Sequence, residues 1–477
     1  MLSVRKSVPD EILSLLEPGG YSLHIKGQAG TGKTSFALQV VRSLSSIGTV
    51  IYLSTRISPE RVLIQFPWIK GFLEEYNILD AKRSYVSPDV PKSLLFEYTD
   101  QPEFIRSINE RIQTAERHPV TVIIDSLDAL KSNLELGEKD ITLETILLEI
   151  GEKSATNMLF ITETSEPCKL DYLVDGVVKL EKEIMDGKLI RKIYLEKIRG
   201  GEIERPYYLF TLKDSKFTTF IPRLFPRIKY VSMKDSQKPI RELIPTSIQE
   251  LDRVFKGGLR KGTLNLLETT RGVGTEYFYF LFPILSSFIQ KRFPVFMLPS
   301  QNATTKLTMN YLTSIMGVSK DENTMSQLGK FLFFFQFVET AEKTPWNQIN
   351  VSREDITQFT ETFKKMVTEK VEELGAETFL WFLGADTMER IYGEETFRRT
   401  IGNLVLETSA RNGIILALAK YGIKSMDTLT HLASTHLVMD NRGTPIIYGE
   451  FPKTKTYAIV TETTKEGADR IELEGIE

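Results

Sequence analysis

Cysteine is almost missing: Cys168 stands alone in 477 residues, which rules out an intrachain disulfide and fits a reducing interior. Histidine is scarce too. The four present, His24, His118, His431 and His436, show no ligand-like spacing with acids or with Cys168, so no transition-metal centre is expected. Long hydrophobic runs are also lacking. The most apolar stretch, Tyr277 to Ile289, is too short to span a bilayer and is expected as a buried helix. Met1 to Asp10 has no apolar signal-peptide core, so cytoplasmic residence without a membrane partner is expected. A large charge of one sign is absent as well: the formal charge of −3 gives no global pull toward nucleic acid. What remains, 41% apolar and 26% charged residues, is that of an ordinary globular chain long enough for two or three domains with real cores.

Against this background one stretch stands out. Gly27-Gln28-Ala29-Gly30-Thr31-Gly32-Lys33-Thr34 follows the strand-like run Tyr21 to Ile25 and opens a helical run from Ser35 to Leu44. GxxxxGKT in a strand, loop, helix context is a P-loop. Its glycines let backbone N–H groups turn toward a polyphosphate at the positive end of the next helix. The expected ligand is ATP, held by residues 27–35 including Ser35. Lys33 would reach the β- and γ-phosphates, and the Thr34 hydroxyl would serve Mg²⁺. The apolar run Val120 to Ile124 ends in Asp125, a Walker B pattern whose carboxylate is the second expected Mg²⁺ group.

Short β-branched runs alternate with helical stretches from Met1 to about Pro222, the signature of an α/β domain with a mainly parallel sheet. Expected strands are 22–26, 49–53, 94–98, 121–125 and 158–162, then an antiparallel edge meander at 176–180, 191–197 and 207–212. A helix over 103–116 would start from Asp100 and Pro102 as cap and first-turn residues. Residues 223–244, rich in proline and basic side chains, read as a linker, with a basic partner-binding strip as the alternative. Then the pattern repeats. Asp10 to Phe36 aligns without a gap on Asp252 to Phe278, 49–53 on 294–298, 94–98 on the aromatic run 331–337, and 170–180 on 429–439. The expected architecture is therefore two tandem copies of one α/β P-loop unit, 1–222 and 245–477. In the second, Ser352 is expected to cap a helix to about Glu373, with Asp355 in a capping-box place.

Ile124-Asp-Ser-Leu-Asp-Ala-Leu130, Tyr52-Leu-Ser-Thr-Arg-Ile-Ser-Pro-Glu60, Leu173 to Leu180 and Glu196-Lys-Ile-Arg-Gly200 resemble RecA-like ATPases of the KaiC branch. Thr246 to Asp252 with Gly257 to Gly262 is similar to the way such domains open. Gly19 to Gly27 and Ser54-Thr-Arg56 look most like the archaeal gas-vesicle regulator GvpD group. The resemblance implies a homo-oligomer, a ring such as a hexamer or a filament, with ATP between neighbouring subunits. Lys197 and Arg199 match the family residues that reach a neighbour's γ-phosphate; on their spacing alone, a solvated edge strand fits as well. Glu163, at the end of a parallel strand, is a candidate γ-phosphate sensor or an exposed strand-end acid. Where the family carries a water-orienting Glu pair, this chain has Arg56 and Ile57. A cationic donor cannot accept a proton from water, so ATP binding with slow hydrolysis is expected, with Glu60 the alternative acceptor.

The second copy has lost these groups. The repeat puts Thr269 on Gly27, Thr275 on Lys33, Glu276 on Thr34 and Leu383 on Asp125, with Ser300 and Gln301 near the water-activating positions. A carboxylate in place of the hydroxyl repels polyphosphate by several kcal/mol, to order of magnitude. This domain is expected to serve assembly or a protein partner without binding MgATP. The alternative function is a DNA-handling motor or recombination mediator. The stretches a motor would use, 131–144 and 164–176, carry more acids than lysines, so DNA is the less favoured partner.

Overall fold

The computed structural model describes residues 2–44, 48–81, 102–137, 140–185, 187–223, 242–300, 307–310, 329–337, 347–463 and 469–476. The expected strand 94–98, Asp100, Gln301 and linker positions 224–241 lie outside them. The chain forms two compact units: Arg5–Phe220 with Ile476–Glu477, and Met1–Val4 with Ile221–Gly475. The first strand, β1 (Leu2–Lys6), thus belongs through its leading residues to the back unit.

In the front unit the strands are β2 (Ser22–Lys26), β3 (Val50–Ser54), β4 (Ile78–Asp80), β5 (Thr121–Asp125), β6 (Asn157–Ile161), β7 (Gly176–Met185), β8 (Lys188–Ile198), β9 (Tyr207–Thr211) and β10 (Thr218–Arg223). Their spatial order is 4-3-5-6-2-7-8-9-10, parallel through β7 and antiparallel beyond it. The central strands carry Val, Ile and Leu on both faces and are buried on both, because helices cover each side of the sheet. Strand β2 lies where the order reverses, so the loop after it opens at the crevice where α/β sheets bind ligands. The helix Glu103–Gln113 begins just after Pro102, which takes the cap position and not the first turn.

The back unit continues with the short pair β11 (Leu243–Ile244) and β12 (Leu259–Arg260), then β13 (Leu264–Thr269), β14 (Val295–Leu298), β15 (Leu332–Gln336), β16 (Asn347–Asn350), β17 (Leu380–Gly384), β18 (Ile414–Lys420), β19 (Ala433–Asn441), β20 (Pro445–Phe451), β21 (Tyr457–Thr463) and β22 (Asp469–Gly475). Its order, 16-15-14-17-18-13-19-20-21-22, repeats the front sheet with one more parallel strand at the far edge. The two tandem P-loop α/β domains expected from the repeat are therefore present. Strand β1 adds to β21 in parallel, Ser3 opposite Val460. The aromatic helix Tyr277–Gln290 buries twelve of its fourteen side chains against this sheet, as the core helix expected of it. No described helix is long and apolar enough to cross a membrane.

Register makes the duplication quantitative. Leu23 sits between Leu159 and Gly176; its counterpart Asn265 sits between Leu416 and Thr435. The same comparison corrects two alignments. Val50 faces Thr121 and Ser54 faces Asp125, while Val295 faces Leu380 and Leu298 faces Leu383. The counterpart of Asp125 is thus Gly384, one residue beyond Leu383. The aromatic strand β15 lies beside β14 as β4 lies beside β3, so its described counterpart is 78–80. Asp355, not Ser352, caps the helix Ile356–Glu373 by accepting from the Thr357 N–H, while Ser352 folds the turn before it.

Candidate functional site

The loop after β2 turns back on itself before the helix Lys33–Ser43. Gly27 must be glycine here, because a Cβ would meet the Leu180 carbonyl oxygen at 2.3 Å. Gly32, at φ +101°, has left-handed backbone that a side chain would strain. Thr31 Oγ1 donates to the Gln28 carbonyl at 2.9 Å, closing the loop. Lys33, only 6% exposed, curls into it and donates to the carbonyls of Gly27 (2.6 Å) and Gln28 (3.0 Å). Burial lowers the pKa of its ammonium, and the nearby Glu163 carboxylate only partly offsets that. Two exposed-edge cations not foreseen from the sequence join the rim: Lys182 donates to the Ala29 carbonyl (3.2 Å) and Arg191 to the Gly30 carbonyl (3.1 Å). They face each other across β7 and β8, a pairing only the hairpin register reveals.

One strand, β6, separates β2 from β5, yet the side chains converge. Thr34 Oγ1 donates to Asp125 Oδ2 at 2.6 Å, and Tyr52 Oη donates to the same oxygen at 2.6 Å. Burial, reinforced by Asp125, raises the Tyr52 phenol well above its usual pKa, so it stays a neutral donor. Thr34 and Asp125 offer a hydroxyl and a carboxylate at one place, an all-oxygen donor set suited to a hard divalent cation. Ser35 is buried in the first turn of the helix. Beyond them Glu163 bridges two cations: Oε2 lies 3.3 Å from Lys33 Nζ and Oε1 lies 3.0 Å from Arg56 Nη1. Arg56, which stands where the family carries a water-orienting acid, is here paired with an acid. Glu60 is exposed in the first turn of the helix Pro59–Gln65.

Lys197 and Arg199 stand apart from this loop. Arg199 N–H donates to the Asp175 carbonyl, and Asp175 N–H to that of Ser22. Ser22 is the far end of β2 from Gly27, roughly 15 Å along an extended strand. Lys197 donates to the carbonyls of Asp171 (2.8 Å) and Val174 (2.5 Å), and Arg199 pairs with Asp175 at 3.2 Å. Neither reaches the phosphate loop of its own chain.

Beside them is a cluster that contradicts the expectation of isolated histidines. His24, fully buried, contacts Asp171 Oδ1 through Nδ1 and Thr162 Oγ1 through Nε2, each at 2.7 Å. Lys26 Nζ lies 3.0 Å from Asp171 Oδ2 and 2.7 Å from Glu196 Oε2. Cys168 completes a group whose ligand atoms fall within 4.8 Å of one another. Its chemistry still disfavours a cation: the Lys26 ammonium sits on the same carboxylate, and burial pushes the Cys168 thiol pKa up, away from thiolate. Lys131, in the first stretch a DNA motor would use, forms a buried ion pair with Glu144 at 2.8 Å.

In the back unit the equivalent loop takes another path. Gly272 and Gly274 have left the left-handed region that Gly30 and Gly32 occupy, and the helix starts at Tyr277, two residues past the counterpart of Lys33. Glu276 fills the gap. Its Oε2 accepts from the Gly274 N–H at 2.6 Å and its Oε1 from Asn441 Nδ2 at 3.3 Å. A carboxylate thus sits on a loop N–H that in the front copy is available to a phosphate. Gly384 supplies no acid, and Ser300 instead donates to buried Asp386 at 2.7 Å. Phe451, exposed, takes the place of Lys197 opposite His436, as Lys197 stands opposite Val177.

Fold and site together define the class: a RecA-like P-loop protein with two tandem domains, one of which keeps the lysine, hydroxyl and acid of its loop. Several known proteins are similar to this chain. Residues 15–196 match the family model of the GvpD gas vesicle protein, P-loop domain. Protein GvpD1 of Halobacterium salinarum is 26% identical over 358 residues, 73% of this chain and 64% of that protein. Protein GvpD2 of the same organism is 25% identical over 309 residues, 63% of this chain and 62% of the relative. The chain therefore spans less than two thirds of the length of these two relatives. A UPF0273 protein of Pyrococcus horikoshii is 24% identical over 247 residues, which is 48% of this chain and 98% of the relative. The GvpD-like, RecA-type resemblance read from the sequence stands on these matches.

Proposed function

We propose that the chain is a GvpD-like, KaiC-branch regulatory ATPase: its front unit binds MgATP and hydrolyses it slowly, and its back unit is a pseudo-ATPase serving assembly or a protein partner. The observation that carries this is the contrast at one loop position. Thr34 meets Asp125 in the front, whereas Glu276 closes on its own loop in the back. When bound, Mg²⁺ would be held by Thr34 and Asp125 and would supply charge neutralisation on the phosphates. Lys33 exchanges two loop carbonyls for phosphate oxygens, and loop N–H groups orient the chain of phosphates. Slow turnover follows from Arg56, which cannot take a proton from water and which holds Glu163 away from that task.

Lys197 and Arg199 lie too far from their own loop to assist it, which favours a homo-oligomer in which they meet a neighbour's nucleotide. A site shared between subunits couples ligand occupancy to assembly, and regulation would act through that coupling. The description of the matching family model, a gas vesicle protein, points to a gas-vesicle setting for the output. Particle mass measured with and without MgATP, alongside steady-state phosphate release, tests the reading. Growth of the particle on MgATP, with slow release that drops about tenfold or more in Arg199→Ala, is expected. An unchanged mass with unchanged release in that variant would overturn it.

A further inference from the structure

The front unit contains a continuous polar path, running from the phosphate loop to the strand bearing Lys197, that has no counterpart among the described residues of the back unit. At one end Glu163 holds Lys33 and Arg56. The next residue back, Thr162, is 3% exposed and bonded to His24 Nε2. His24 in turn holds Asp171, whose other oxygen takes Lys26, and Lys26 pairs with Glu196, the neighbour of Lys197. Lys197 itself rests on the Asp171 carbonyl. Every link is 3.3 Å or shorter, and His24, Lys26 and Thr162 are essentially excluded from water. In the back unit the register puts Leu266 at the His24 position and Glu268 at the Lys26 position, where Glu268 pairs sideways with His436. Among the described residues no equivalent path leads out.

We infer that His24 and Asp171 are positioning residues that couple occupancy of the front phosphate loop to the placement of the 188–199 strand. The inference rests on the reading of that loop as an ATP site and adds how its state is conveyed. A phosphate arriving at Lys33 competes with Glu163 for one ammonium, so Glu163 must give way. Its movement pulls the adjoining Thr162, which is tied to a buried imidazole whose two nitrogens are both engaged. Buried hydrogen-bonded groups exchange one discrete arrangement for another, since leaving a partner unmet in a dry interior costs about 1–3 kcal/mol. The Asp171 carboxylate and carbonyl then pass the change to Glu196 and Lys197. Such coupling is a matter of free energy shared between two places, and only a measurement of both places at once can establish it.

The test is backbone hydrogen exchange of the full chain with and without MgATP, read in two regions, 27–36 and 188–199. In the unaltered protein, MgATP slows exchange in the first and changes it in the second. In His24→Leu, which copies the residue the back sheet already accommodates, the slowing at 27–36 persists with nucleotide affinity within about threefold of the original, and the response at 188–199 is lost. Should that variant not fold, Asp171→Asn is judged by the same two regions. A response at 188–199 that survives in the variant overturns the inference, as does an unaltered protein that responds at 27–36 alone. No response at 27–36 in the unaltered protein would instead remove the ATP-site reading itself, so the two failures are told apart.

Discussion

The front phosphate loop runs through left-handed Gly30 and Gly32 into a helix that starts at Lys33, while the back loop keeps both glycines in sequence and uses neither in that way. Keeping the glycines is thus not keeping the site. In the front copy they let the chain wrap a ligand, with Lys33 and Thr34 aimed inward. In the back copy the Glu276 carboxylate has become a resident anion on the Gly274 N–H, so the loop no longer needs the same turn. The sheets meanwhile agree strand for strand apart from the added edge strand β16, because β order is set by buried apolar faces that both halves retain. Duplication preserved the scaffold and let the chemistry diverge.

The comparison breaks most sharply at Lys33. Lys33→Ala is expected to weaken MgATP binding about 100-fold, the loss of charge-assisted hydrogen bonds worth roughly 3 kcal/mol, as read by calorimetric titration. Binding that survives intact would place the nucleotide elsewhere. Next is Asp171→Asn, which removes one partner of an ion pair whose Lys26 is 2% exposed and should cost about 3 kcal/mol in denaturant unfolding at neutral pH. The effect should fade in acid. Burial alone would raise the Asp171 pKa, but bonds from His24, the Cys168 N–H and Lys26 outweigh it and hold the carboxyl well below the ordinary range. Its stabilisation is therefore complete above the unfolded-state value near 4 and is lost as pH falls toward the folded one. Equal acid sensitivity in the variant would contradict this. The matching change in the back unit, Glu268→Gln, touches a pair that is 31% and 11% exposed and should cost under about 1 kcal/mol. A larger loss there would erase the distinction between the two clusters. Smallest of all, the graft Thr275→Lys with Glu276→Thr should add no second MgATP site, because Gly384 still brings no carboxylate.

Much of this was legible in the residues. Periodicity located β2, β3 and β5 to β9, and the gapless repeat their central partners in the back unit, but β1, β4, β10, β16, β18 and β20 to β22 were not read; motif spacing brought Lys33, Thr34 and Asp125 together. What escaped depends on register and on contacts across the sheet. Tyr52 and Asp125 lie far apart in sequence, and only the pairing of β3 with β5 brings the phenol onto the carboxylate. His24 on β2 meets Asp171 because the short helix Leu170–Leu173 leads directly into β7, which pairs with β2, and a scan for ligand spacing along the chain does not detect this. The Leu383 misalignment is of the same kind, since a run of apolar residues slides by one without changing its pattern. The assignment of Met1–Val4 to the back unit also has no local signal, the five-residue strand β1 being too short to show a period.

The most direct measurement is the stoichiometry of MgATP bound per chain, by calorimetric titration of the unaltered protein and of Lys33→Ala. One nucleotide per chain, bound about 100-fold more weakly after the substitution, is what two unequal copies require. Two per chain, or one held as tightly without the Lys33 ammonium, would contradict the account.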